Sequence, residues 1–196
     1  MFGAFYRDYL SEFIETLQRL NVDILERIMN ELESARQNGA QVFVIGNGGS
    51  AASASHWACD FGKGINVGES KRLRIFSPID NVALGTALSN DITYDEVFTE
   101  QLKNYLNPGD LIIGLSVSGN SENVVRAFLY GKQHGAKTIS ITGSARGRMT
   151  ELADIPLVVE SGNYGIVEDI HMFIAHVISQ YMRRLSAGAA APQSTI

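Results

Sequence analysis

A second cysteine is missing. The chain of 196 residues carries only Cys59, so no disulfide can close within it, which fits a reducing compartment and a cytoplasmic address. A basic surplus is missing too: 16 Lys and Arg stand against 21 Asp and Glu, for a net charge of −5. A partner gripped by its nucleic-acid phosphate backbone needs a Lys/Arg excess on some face, so nucleic acid is excluded as the expected partner, while a small anion is not. No apolar stretch approaches the roughly 20 residues of a membrane span, because charges interrupt every hydrophobic run. Arg7, Asp8, Glu12 and Glu15 deny the N-terminus the uninterrupted apolar core of a secretory signal. Internal repeats and linker-like stretches are also lacking. With 45% hydrophobic and 19% charged residues, what remains is one globular domain with a sizeable core and no membrane partner.

Apolar residues recur at helical spacing from Phe5 to Gln37 (Leu10, Phe13, Ile14, Leu17, Leu20, then Ile24, Leu25, Ile28, Met29, Leu32), which predicts two helices or one kinked pair. Asn38-Gly39 is a helix stop, and Gln41 to Ile45 then reads as a buried strand. Similar apolar runs follow at Leu73 to Phe76, Leu111 to Leu115, Thr138 to Thr142 and Ile155 to Val159. Helical patterns lie between most of them: Ser50 to Phe61, Asn81 to Ser89, Tyr94 to Leu106, Ser121 to His134 and Arg148 to Ala153, then a long last helix from about Val167 to Leu185. Strands without polar alternation, interleaved with helices, predict an α/β three-layer sandwich on a five-stranded, mostly parallel sheet. Residues 1–38 form an N-terminal helical extension, residues 39–186 the core and residues 187–196 a frayed tail.

Two strand-to-helix junctions have unusual composition, Gly46-Asn47-Gly48-Gly49-Ser50 and Ser116-Val117-Ser118-Gly119-Asn120-Ser121, the latter followed by Glu122-Asn123. Open α/β sheets place ligands at such carboxyl ends of strands. Glycines allow close backbone approach, and hydroxyls with free N–H groups at a helix start cradle a phosphate. Each loop alone is also ordinary turn and cap chemistry. Neither carries the Gly-Lys-Ser/Thr ending of a nucleotide phosphate loop, nor the dinucleotide fingerprint with its acidic partner. A phosphorylated metabolite without a nucleotide is the better expectation.

These two segments, with Asn90-Asp91 between them, resemble the sugar isomerase (SIS) domain family, and within it the phosphoheptose isomerases. The resemblance covers nearly the whole chain. It implies a flavodoxin-like SIS fold, a homotetramer with sites at subunit interfaces, and conversion of sedoheptulose 7-phosphate to a heptose 7-phosphate. Ser50, Ser116, Ser118 and Ser121 would hold the phosphate, and Asn47, Gly48, Gly49, Asn90 and Asp91 would line the sugar site. Val117 stands where the family usually has a hydroxyl residue.

His56 and Asp60 are four residues apart on the helix opening at Ser50, so they share a face. Glu168 and His176, eight residues apart in the last helix, are about 80° apart around its axis. If the helices converge, two imidazoles and two carboxylates make an N/O set for a divalent, zinc-like ion; taken singly, each is also an ordinary helix residue. The resemblance implies that His56, Asp60, Glu168 and His176 are the metal ligands, with Glu168 also at the substrate. Asp60 replaces the family's Glu, and Glu168 replaces its Gln. His171 is a further possible ligand, and Cys59 reads as packing. Gly165-Ile166 and Lys63-Gly64 stand where the family has an Asp-Arg pair and an Arg, so contacts to the sugar differ.

Aldose–ketose isomerisation through an enediol needs a base at the carbon acid and stabilisation of the oxyanion, which a metal ion supplies. Asp60 and His176 are the acid/base candidates. The competing expectation is a non-catalytic phosphosugar-binding SIS protein, a sensor or a replication-initiator-associating scaffold. Such proteins keep the phosphate loops and lose the acid/base pair, whereas this chain has both.

Overall fold

A computed structural model describes residues 1–188. The N-terminal periodicity resolves into two helices, α1 (Phe2–Gln18) and α2 (Val22–Asn38). The break between them is set by Asn21, whose side chain caps α2 by accepting from the Ile24 amide at 3.1 Å. Gly39 ends α2 with φ +71°, a left-handed conformation that glycine adopts without steric cost.

Five strands follow: β1 (Gln41–Gly46), β2 (Arg74–Phe76), β3 (Leu111–Ser116), β4 (Lys137–Thr142) and β5 (Ile155–Val158). All neighbouring pairs are parallel, in the order β2-β1-β3-β4-β5. The intervening helices are α3 (Gly49–Cys59), α4 (Val82–Asp91), α5 (Val97–Tyr105), α6 (Glu122–Gln133), α7 (Gly147–Leu152) and α8 (Tyr164–Ser186). No described helix is long and apolar enough to cross a membrane. The expected frayed tail lies outside the described residues from 189 onward.

Helices cover both faces of the sheet, which is why its strands lack polar alternation. Val42 and Val44 of β1, with Leu111, Ile113 and Leu115 of β3, pack against α2, α3 and α8. Phe43, Ile45 and Ile112 point the other way, against α5, α6 and α7. The chain leaves β1 toward β2 on one side and returns to β3 on the other, so the order of strand addition reverses between β1 and β3. The loops after these two strands therefore flank the crevice where open parallel sheets bind ligands.

Candidate active site

The loop after β3 gathers three hydroxyls. Ser116 Oγ lies 3.4 Å from Ser118 Oγ and 3.2 Å from Ser121 Oγ. The Gly119 amide donates to Ser116 Oγ at 3.2 Å, and the Asn120 amide to Ser118 Oγ at 3.3 Å. Gly119 takes φ +65°, and a Cβ there would run into the Arg146 carbonyl, so the turn admits only glycine without rearrangement. Ser121 is the N-cap residue of α6, yet its side chain makes no capping bond. The hydroxyl thus stays available at the positive end of a helix dipole, a setting that favours an anion.

These serines line a cavity of about 140 Å³ together with Asn47, Ser50, Leu115, Val117, Tyr164 and Glu168. The first loop meets it because Gly46 lets β1 turn tightly: a Cβ there would sit 2.8 Å from the Ser50 carbonyl and 2.9 Å from that of Leu115. Gly48, at φ +56°, then caps α3. Glu168 reaches in from α8, and its carboxylate lies so close to Gly49 that a Cβ there would overlap it. Asn47 is bridged to Asn123 of α6 and to the Tyr94 hydroxyl.

A second cluster lies farther along the same two helices. His56 Nε2 and His176 Nε2 are 3.0 Å apart, and Asp60 Oδ2 stands 3.3 Å from the first and 3.5 Å from the second. Their cleft, about 290 Å³, is completed by Gly64, Ser179, Gln180 and Arg183. Asp60 opens a π-helical turn, Asp60–Gly64, that widens the end of α3; such turns recur at functional sites. Tetrahedral ligands at about 2.0–2.1 Å from zinc stand about 3.3 Å from one another, so the spacing of these atoms fits such an ion. An N₂O set of three leaves one position open, as in catalytic sites.

Of the four ligands expected from sequence, the structure brings His56, Asp60 and His176 together. Glu168 is not brought into that group and lines the serine cavity instead. Eight residues of helix separate it from His176 by roughly 12 Å along the axis, toward the start of α3. Asn90 and Asp91 end α4, exposed, with the Asn90 amide donating to Asp91 at 2.8 Å; neither lines the cavity or the cleft. Cys59 is exposed rather than packed. His171 is buried, and neither ring nitrogen has a hydrogen-bond partner. Burial pushes its pKa down to about 4. It is a core histidine, held neutral.

Sequence reasoning missed Tyr94, which arrives through the short turn after α4, and Arg183, whose guanidinium donates to the Gly64 carbonyl at 3.1 Å beside the histidine cleft. Neither carries a local motif. A larger hollow, about 520 Å³, opens at the opposite end of the sheet. Its charged groups are paired off: Lys137 with Glu31 at 2.7 Å, and Asp110 with the Gln41 and Asn107 amides, both at 2.7 Å.

Residues 5–143 match the SIS domain family. The chain is 35% identical over 172 residues to a probable phosphoheptose isomerase of Thermoplasma acidophilum, covering 88% of this chain and 94% of that protein. It is 37% identical over 175 residues to a phosphoheptose isomerase of Aliarcobacter butzleri, covering 89% and 90%. Among solved structures, that of a phosphoheptose isomerase from Francisella tularensis superposes with a TM-score of 0.83 at 25% identity, covering 93% of this chain and 96% of the other.

Proposed function

The chain belongs to the SIS domain family, and from that premise we propose that it is a phosphosugar aldose–ketose isomerase that interconverts sedoheptulose 7-phosphate and a heptose 7-phosphate. The observation that carries this reading is an anion cradle in the loop after β3 joined to an acid/base cluster by two helices, α3 and α8, that start at the cradle's cavity. Ser50 and His56 are six residues apart on α3, roughly 9 Å of rise, and Glu168 and His176 are roughly 12 Å apart on α8. That is the length scale of an extended open-chain heptose phosphate.

The phosphate sits at the Ser116–Ser118–Ser121 end, where hydroxyls and the α6 dipole meet it. Glu168 repels the dianion and accepts from sugar hydroxyls on the Gly49 side. The reacting carbons then reach the His56–Asp60–His176 cluster. A base takes the proton from C1 of the ketose, the electron pair forms the enediol, and the proton is delivered to C2 as the C2 oxygen gains a hydrogen and the C1 oxygen loses one. Asp60 is the acid/base group, and His176 Nε2, 3.5 Å from it, belongs to the ion-holding set, since a metal-bound nitrogen has no lone pair left for a proton. Asp60 can serve two tasks, since its carboxylate keeps a second oxygen after Oδ2 has engaged the imidazoles.

His56, Asp60 and His176 would hold a divalent, zinc-like ion, which when bound supplies polarisation of the carbonyl and hydroxyl oxygens. The protein works in the cytoplasm as a homotetramer with sites at subunit interfaces. Support for assembly comes from the outer row of α1 (Phe2, Phe5, Tyr6, Leu10, Ile14) and from Phe173, Val177, Tyr181 and Leu185 of α8, all exposed, more apolar side chain than a monomer ordinarily shows to water. Light scattering at micromolar concentration is expected to show the oligomer; a stable monomer contradicts it. Conversion of sedoheptulose 7-phosphate by the purified protein tests the activity.

A further inference from the structure

Asn47 and Asn123 form a reciprocal amide pair between the two loops, with Nδ2 of each facing Oδ1 of the other at 2.9 and 3.0 Å. Amide oxygen and nitrogen are told apart by their partners, and here one partner decides. The Val124 backbone N–H, which can only donate, meets Asn123 at 2.9 Å, so the atom it meets is Oδ1. Asn47 must then present Nδ2 to that same oxygen. Its own Oδ1 accepts from Asn123 Nδ2, and the Tyr94 hydroxyl, 2.7 Å from Asn47 Oδ1, has to donate. Asn123 is only 2% exposed, so its amide has no solvent alternative. Both lone pairs of Asn47 Oδ1 are therefore filled, and the side chain retains a single free N–H. Asn47 lines the serine cavity.

We propose that Tyr94 is a positioning residue that locks Asn47 as a donor-only group in the ligand cavity, so that the site takes an oxygen lone pair of the phosphosugar there and refuses a donor. The inference rests on the phosphosugar reading above. The oxygen belongs either to the phosphate or to the sugar chain, and the two sources separate by experiment.

Tyr94 is 50% exposed, so Tyr94→Phe keeps the ring and the fold while freeing one lone pair of Asn47 and releasing one restraint on its amide. Steady-state kinetics with sedoheptulose 7-phosphate is run beside calorimetry with that phosphosugar and with inorganic phosphate. KM for the phosphosugar is expected to rise roughly 3- to 10-fold, with kcat within about twofold and the thermal midpoint unchanged. A parallel loss of phosphate affinity assigns the N–H to a phosphate oxygen; unchanged phosphate affinity assigns it to the sugar. Wild-type KM and affinities in Tyr94→Phe overturn the proposal, as does a joint fall in kcat and thermal midpoint at constant KM. Wild-type protein that binds neither probe overturns the phosphosugar reading itself, whatever Tyr94→Phe does.

Discussion

Ser121 illustrates how a single position separates binding from stability. A serine at an N-cap ordinarily contributes about 1 kcal/mol to its helix by accepting from a first-turn amide. Ser121 makes no such bond and instead faces Ser116 at 3.2 Å. Ser121→Ala is therefore expected to cost less than about 0.5 kcal/mol in urea unfolding, because no cap is lost. Phosphosugar affinity is expected to fall by about 1.5–3 kcal/mol in calorimetry, the range for a hydrogen bond to a charged acceptor. A variant that loses stability but not affinity would return Ser121 to the role of a cap. At this scale the serines were readable from the sequence because they cluster in one loop. Tyr94 was not, since its link to Asn47 crosses 47 residues and depends on where a turn ends. Glu168 was readable as a site residue, but its position against Gly49 rather than beside His176 follows from how α8 lies along α3, which spacing within one helix cannot specify.

The relation between α3 and α8 sets the whole histidine cluster, and one buried residue ties the two together. Trp57, fully buried, donates its indole N–H to the His171 carbonyl of α8 at 2.9 Å, and its ring stacks on Phe61 with centroids 5.3 Å apart. His56 on α3 and Asp60 at the start of the π-helical turn flank this anchor, and His176 follows His171 by five residues on α8. Trp57→Phe removes the donor and part of the packed ring, so a loss of about 1–3 kcal/mol in urea unfolding is expected. A value near zero would show that the helix pair is held without this tie. The elements themselves were legible: each strand is a short apolar run because both faces are covered, and Gly39 marks the end of α2 through capping, whereas the cap at Asn21 that separates α1 from α2 was not singled out. The π-helical turn at Asp60–Gly64 was not legible, because a single widened turn leaves the 3.6-residue periodicity of the preceding helix intact.

For the molecule as a whole, the buried His171 gives stability a pH dependence whose sign is determined by its depressed pKa. The group is neutral in the fold down to about pH 4, against an ordinary value of 6.5. Below 6.5 the unfolded chain takes up a proton that the folded chain does not, so this residue's contribution falls as pH drops from 6.5 to 4 and levels off beneath. The loss amounts to about 3 kcal/mol by pH 4. Urea midpoints across that window are expected to fall more steeply for wild type than for His171→Leu, and parallel curves would contradict the assignment. The same architecture that buries His171 in the α8 face of the core sets His176 at the open cleft, and the account turns on what that second histidine does. The most direct measurement follows sedoheptulose 7-phosphate by NMR in D₂O, with wild type and His176→Ala side by side and metal content determined for both. Wild type is expected to form the heptose 7-phosphate with solvent deuterium entering at C2, while His176→Ala folds, binds the phosphosugar, carries less metal and turns nothing over. A His176→Ala protein that keeps full metal content and wild-type turnover would contradict the account.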